Sequence, residues 1–138
     1  MTETVTCVTL TSPKKDLLVA GCHSGNFLLI NATSRTKWEQ LSRAHYNLIR
    51  VIVSLERLKH KWFVSADVCG IIKVWQAIYK VTEAVISFEL DGAISYNAVV
   101  ELTNMLPQHK RNSLFDNSAL IAVALKSCKI NLVLLFPS

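Results

Sequence analysis

The 138-residue sequence has little charge, few glycines and no recognisable catalytic motif. Charged residues make up 18% of the chain and apolar residues 51%, a balance that excludes a disordered chain. Four glycines leave little material for a phosphate-binding loop, and no acid pair, nucleophilic triad or HExxH motif is visible. The sequence therefore predicts a folded domain with no enzymatic activity and no cofactor.

Long apolar runs and paired cysteines are also missing. The longest runs, such as residues 132–136, are far shorter than the ~20 residues of a membrane helix, and residues 1–11 do not resemble a secretion signal. The four cysteines form no CxxC pair, so we expect reduced thiols and no metal site. These features predict an intracellular protein, in the cytoplasm first, with the nucleus or a cytoskeletal assembly as alternatives.

The clearest structural signal lies in residues 44–75. Three short strands joined by short turns predict an antiparallel meander there. In order, the stretch has a loop with His45, a β-branched strand at 49–55, a charged turn at 56–61, a strand at 62–66, a tight turn at 67–70 and a strand ending at Trp75.

The meander belongs to an internal repeat. Aligning GNFLLIN, which begins at Gly25, with GIIKVWQ, which begins at Gly70, gives a period of about 45 residues, the length of a four-stranded propeller blade. A third copy matches residues 129–136. Further strands are then expected at 5–10, 17–21, 27–31, 36–41, within 81–90, and at 95–102, 119–125 and 130–136. Cys22, Cys69 and Cys128 would each occupy the turn after a second strand.

The repeat unit with His45, Ser65, Gly70 and the apolar-Lys-apolar-Trp ending at Trp75 resembles a WD repeat. In that family a His, a Ser or Thr, an Asp of the tight turn and the Trp form a hydrogen-bonded set within a blade. The resemblance implies a blade-structural role for these four residues and for Asp67, which precedes Gly70 by three positions. Gln76 follows Trp75 where the family usually has Asp.

The resemblance implies an all-β fold, an incomplete WD-type β-propeller of about three four-stranded blades. The whole chain, residues 1–138, would be one partial propeller with blades at about 1–43, 44–91 and 92–138. Because propellers close with four to eight blades, three blades leave open faces at both ends. The chain is then a fragment, part of a longer chain, or an arc completed or capped by other protein subunits.

A helical alternative exists for two segments. Trp38, Leu41, His45, Leu48, Ile52 and Leu55 recur at helical spacings, and residues 77–88 could form a second helix, which would make an α/β domain. The dense β-branched residues at 49–53 favour strands instead.

Members of the WD-repeat family are mostly non-enzymatic scaffolds, so a protein-interaction subunit is the first functional prediction. The second is a nucleic-acid-associated, ribonucleoprotein-type subunit, because basic residues recur in the turn between the first and second strands of each unit. The anionic partner would be RNA or an acidic protein segment. The candidate partner-binding residues are Lys14, Lys15, Arg57, Lys59, Lys61, His109, Lys110 and Arg111, with Phe115 in a long loop from Met105. Trp38, Trp62 and Tyr46 are either partner-facing anchors or packed side chains.

Overall fold

The computed structural model describes residues 3–11, 16–34, 36–41, 43–55, 61–78, 81–90, 92, 94–102 and 118–135. These residues form eleven strands and no helix, which confirms the all-β prediction. The strands are β1 (Val5–Leu10), β2 (Leu17–Cys22), β3 (Phe27–Asn31), β4 (Thr36–Leu41), β5 (Ile49–Ser54), β6 (Lys61–Asp67), β7 (Ile71–Ile78), β8 (Val81–Glu89), β9 (Ile94–Glu101), β10 (Ala119–Leu125) and β11 (Ile130–Leu135).

The strands form three antiparallel sheets in which sequence neighbours pair, as the repeat predicts. We call them blade 1 (β1–β4), blade 2 (β5–β8) and blade 3 (β9–β11). The helical alternative is wrong, because its two segments form β4, β5, the end of β7 and β8. Strand geometry suits the β-branched residues of β5, which lose rotamer freedom in a helix. Among the described residues no helix could cross a membrane.

Consecutive blades lie against each other. β1 contacts β5, and β5 contacts β9, so the first strands of adjacent blades are neighbours. Two apolar cores fill the space between the sheets. Leu29, Phe63 and Trp75 belong to the core between blades 1 and 2, whereas Val74 and Ile121 belong to the core between blades 2 and 3.

The first two strands of blade 2, β5 and β6, are buried on both faces, which explains why they are mostly apolar. Phe63 packs toward blade 1, while its neighbours Trp62 and Val64 pack toward blade 3. This alternation is the period-2 pattern of a strand. Burying each of these large side chains stabilises the fold by roughly 1.5–3 kcal/mol.

Candidate functional site

Four polar side chains in and before blade 2 form one buried hydrogen-bonded chain. His45 lies in the loop before β5, Ser65 and Asp67 lie on β6, and Trp75 lies on β7. The Trp75 Nε1–H donates to Ser65 Oγ at 2.8 Å, and Ser65 Oγ lies 2.6 Å from His45 Nε2. The His45 Nδ1 lies 2.9 Å from Asp67 Oδ2. All four residues are at most 4% exposed, so the whole set is shielded from water.

The carboxylate of Asp67 determines which atoms donate and which accept along this set of hydrogen bonds. Its Oδ1 accepts the backbone N–H groups of Cys69 at 2.9 Å and Ile71 at 3.2 Å. Burial alone would raise the pKa of Asp67, but the hydrogen bonds from His45 and from these backbone groups outweigh it and lower that pKa. Because an ionised carboxylate only accepts, His45 donates a hydrogen from Nδ1, and in the neutral imidazole Nε2 then accepts the Ser65 hydroxyl.

Ser65, His45 and Asp67 have the hydrogen-bond order of a nucleophilic triad, which was not apparent in the sequence. Their surroundings differ from those of a catalytic serine. Ser65 is 0% exposed, and its Oγ also accepts the indole N–H of Trp75. The Ser65 hydroxyl is therefore not open to a substrate carbonyl in this structure. The structure thus brings together His45, Ser65, Asp67 and Trp75 as the resemblance implies, and their blade-fixing role stays a prediction.

Gly70 and Gly25 occupy matching turns of blades 2 and 1. Gly70 has φ +96°, and a side chain there would collide with the carbonyl oxygen of Gly92. Its own carbonyl accepts the N–H of Leu90 at 2.8 Å. Gly25 has φ +90°, abuts the carbonyl of His45 and accepts the His45 N–H at 2.9 Å. Each turn glycine therefore bonds the segment that leads into the next blade.

The three cysteines do not share one position in the repeat. Cys22 ends β2, Cys69 lies inside the β6–β7 turn, and Cys128 has φ +67° at the position of Gly25 and Gly70. The expectation that all three occupy the turn is therefore wrong for Cys22. All four cysteines are free thiols, and burial raises the pKa of Cys7 and Cys22. In the part of the chain described, no three metal-ligating side chains converge.

Two residues that the sequence analysis did not single out complete this site. The Phe27 ring, from blade 1, lies 5.0 Å from the Trp75 ring and 6.3 Å from the His45 ring, both edge-on. The Lys73 Nζ donates to the Ala44 carbonyl at 2.7 Å and lies 5.8 Å from the Trp75 ring. Two features of the sequence could have pointed to these residues. Phe27 aligns with Ile72 in the internal repeat, and Lys73 is the lysine of the apolar-Lys-apolar-Trp ending.

The outer faces of blades 1 and 3 are rich in apolar residues, several of which are exposed in the described structure. Alternate residues of these blades pack toward blade 2, so the intervening residues point away from it. We call them the first end face and the last end face. The first comprises Val8, Leu10, Leu18, Ala20, Leu28 and Ile30, and the last comprises Val100, Leu120, Ala122, Ile130, Leu132 and Leu134.

Cross-strand pairing arranges each end face in rows. On the first end face, Val8 pairs with Ala20 and Ala20 with Leu28. On the last end face, Leu132 pairs with Ala122, and that residue in turn pairs with Val100. Val8 is 56% exposed and Leu132 is 65% exposed. Two contiguous apolar surfaces therefore face outward at opposite ends of the arc.

Most of the predicted partner-binding residues lie outside the described residues: Lys14, Lys15, Arg57, Lys59, His109, Lys110, Arg111 and Phe115. Lys61 begins β6, and its side chain is likewise outside. Of the aromatic candidates, Trp62 is packed in a core at 6% exposure, Tyr46 is 85% exposed, and the Trp38 side chain lies outside. Of the two aromatic candidates whose side chains the structure describes, Tyr46 alone is placed where a partner could touch it.

The sequence matches no protein-family model and no curated protein. Solved structures share its fold. The WD40 domain of SCAP from fission yeast superposes with a TM-score of 0.66 at 15% identity, over 98% of this chain and 30% of that one. The β-propeller domain of Cps50 (Swd1) from Myceliophteria thermophila gives 0.57 at 15% identity, over 97% and 43%. The computationally designed Ika4 protein gives 0.56 at 14% identity, over 96% and 92%.

These likenesses show the fold. The chain is a partial WD40-type β-propeller whose blades have three or four strands in the described part. It spans less than half the length of the two natural domains to which it is similar.

Proposed function

We propose that this partial propeller is a non-enzymatic scaffold that binds other protein subunits within a larger assembly through its two end faces. Nine large hydrophobic side chains are exposed in the described part of the chain, and six of them lie on these faces. These six side chains are 36–70% exposed. Covering each of them would therefore contribute about half of the roughly 1.5–3 kcal/mol of full burial, before association entropy is subtracted. The general role of WD40 propellers as interaction platforms supports the proposal.

Crosslinking mass spectrometry in cells tests this proposal. Lys126 and Lys129 are exposed in the turn of blade 3 and lie beside the last end face. We expect crosslinks from these lysines to another protein chain. They should disappear in a Leu132→Asp variant and persist in Val85→Asp, which adds the same charge at a 48% exposed site on blade 2. Intermolecular crosslinks that are absent, or indifferent to Leu132→Asp, would contradict the scaffold role.

The state of the cysteines supports an intracellular location, with the cytoplasm as the proposed compartment. All four thiols are free, as expected in a reducing compartment. Subcellular fractionation followed by alkylation of the native protein tests this, since recovery in an oxidising compartment with blocked thiols would contradict it.

A second candidate function is binding of an anionic partner, RNA or an acidic protein segment. Its support is the net charge of +5 and the basic sequence of the turns after β1, β5 and β9. Equivalent backbone hydrogen bonds join the residues on either side of these three turns. The N–H groups of Thr11, Leu55 and Leu102 donate to the carbonyl oxygens of Leu17, Trp62 and Leu120, respectively. Steep weakening of RNA binding with added salt, and its loss when Arg57, Lys59 and Lys61 are neutralised together, would support this function. Salt-independent binding would contradict it.

A further inference from the structure

We propose that the loop before β5 carries a docking site for an acidic peptide segment of a partner protein, formed by Arg43 and Tyr46. We call it the loop site. It lies between the β2–β3 turn of blade 1 and the β6–β7 turn of blade 2, apart from both end faces. The inference therefore goes beyond the proposed function, and an assembly formed through the end faces leaves the loop site open to the peptide.

Tyr46 is the most exposed large hydrophobic side chain in the described part of the chain, at 85%. The two residues before it are buried, with Ala44 2% exposed and His45 1% exposed. A single exposed apolar side chain is common on protein surfaces, so exposure alone does not indicate a site. What distinguishes this ring is that the fold anchors the loop at its buried residues and leaves the ring in solvent.

Blade 1 holds the first half of the loop. The Arg43 N–H donates to Asn26 Oδ1 at 2.8 Å, and the His45 N–H donates to the Gly25 carbonyl at 2.9 Å. The Asn26 side chain is itself fixed, because its Nδ2 donates to the Glu3 carboxylate at 2.9 Å. The backbone that carries Arg43 is therefore positioned by the turn of blade 1.

Blade 2 holds the same loop from the other side. The Lys73 Nζ donates to the Ala44 carbonyl at 2.7 Å, and the Val68 N–H donates to the Leu48 carbonyl at 3.0 Å. The His45 side chain belongs to the buried hydrogen-bonded chain of blade 2. A loop held at both ends and in its middle presents Tyr46 before any partner arrives, so binding orders side chains but not the backbone.

Arg43 supplies the positive charge of the loop site. It is exposed, and no carboxylate in the described part of the chain lies within ion-pair distance of it. The acid beside the loop, Glu3, has both carboxylate oxygens engaged, one by the Ser24 hydroxyl at 2.7 Å and the other by Asn26 Nδ2 at 2.9 Å. Because a planar guanidinium pairs bidentately with a carboxylate, the charge of the site suits an acidic side chain of a partner.

The spacing of the two side chains fits a peptide. Arg43 and Tyr46 are three positions apart, so their Cα atoms lie within about 11 Å of each other. An extended peptide advances about 3.3 Å per residue, so a short segment reaches both side chains, with a carboxylate on Arg43 and an apolar side chain on the Tyr46 ring. A nucleic acid fits less well, because it needs a row of cations along its phosphates and the neighbouring Lys73 has its Nζ on the Ala44 carbonyl.

Selection of short random peptides displayed on phage against the purified full chain tests the proposal. We expect the enriched peptides to carry Asp or Glu close to a large apolar residue. The Kd of one enriched peptide is then measured by fluorescence polarisation, and we expect Tyr46→Ala and Arg43→Asn each to raise it by at least about 10-fold. Asparagine tolerates the φ of +56° at residue 43, so this variant removes the charge without straining the loop.

Lys126→Asn is the matched control, because it removes the same charge from an exposed turn residue of blade 3. It should change the peptide Kd by less than about 2-fold, and circular dichroism should show that all three variants keep their strands. No enrichment, enriched peptides without an acidic residue, or binding indifferent to Tyr46→Ala or to Arg43→Asn would overturn the proposal. Oligouridine RNA that binds more tightly than the peptide, with the same dependence on both residues, would assign the site to nucleic acid instead. The Lys126 and Lys129 crosslinks report on the last end face, so the scaffold role stands or falls independently of this result.

Discussion

Replacing Ser65 with alanine removes the central oxygen of the buried hydrogen-bonded chain and tests whether that chain holds blade 2 to the loop before it. The Trp75 Nε1–H loses its acceptor at 2.8 Å, and His45 Nε2 loses its donor at 2.6 Å. Ser65 is 0% exposed, so water does not replace the hydroxyl without rearrangement. A buried polar group left without a partner costs about 1–3 kcal/mol, which gives about 2–6 kcal/mol for the pair. This is a large part of the ~5–15 kcal/mol that separates folded from unfolded domains.

Urea unfolding followed by circular dichroism measures this effect. We expect Ser65→Ala to lower the unfolding free energy by about 2–6 kcal/mol, equivalent to roughly 3 °C in Tm for each kcal/mol. Ser87→Ala removes an exposed hydroxyl from β8 of the same sheet and should change stability by less than about 0.5 kcal/mol. A double-mutant cycle with Trp75→Phe should show that the two changes are not additive. If Ser65→Ala is no more destabilising than Ser87→Ala, the structural role assigned to the chain is wrong.

Three further predictions concern the same region. The pKa of Asp67 is lowered in the folded state, so the stability that its carboxylate contributes is complete above the ordinary pKa of about 4 and is lost as pH falls through the pKa of the folded protein. The difference in unfolding free energy between wild type and Asp67→Asn should therefore shrink on acid titration. A difference that stays constant with pH would contradict this. In Gly70→Ala the new side chain is strained at φ +96° and also collides with the Gly92 carbonyl, whereas in Gly92→Ala it is strained at φ +131° without a collision. Thermal melts should therefore show that Gly70→Ala lowers stability by more than about 1 kcal/mol beyond Gly92→Ala. Equal losses of stability would refute the collision at Gly70. Phe27→Ala, which empties the centre of the aromatic cluster, should cost about 3–5 kcal/mol in urea unfolding, and a loss below about 1 kcal/mol would mean that the ring does not hold blade 1 against blade 2.

The strands could be predicted because the sequence marks them twice, by β-branched apolar runs and by the turn residues between them. Blade 2 is the clearest case: residues 62–64 are apolar at consecutive positions because neighbours such as Phe63 and Val64 face different cores. The position of the acid was also readable. Asp67 lies three residues before Gly70, and this spacing lets its carboxylate accept the turn amides and reach His45.

Other parts of the site depend on contacts between blades and could not be read from one strand at a time. Phe27 has no distinguishing neighbours in sequence, yet it meets Trp75 across the blade junction. Cys128 occupies a left-handed turn position where the other blades have glycine, so residue type concealed the equivalence. The end faces are equally hidden: Leu29 and Leu132 look alike in sequence, and only the stacking of the blades shows that the first is buried and the second exposed.

Hydroxyl-radical footprinting of the assembled protein tests most directly the claim that the end faces are interaction surfaces. It measures the solvent exposure of individual side chains, with the 85% exposed Tyr46 as an internal reference. Leu10 and Leu132 are 41% and 65% exposed on the chain alone. We predict that Leu10 is labelled strongly in the dissociated Leu132→Asp variant and Leu132 in the dissociated Val8→Asp variant. Both leucines should be protected in the assembled wild type. Leucines that are labelled in the assembly as strongly as in the dissociated variants would contradict the account.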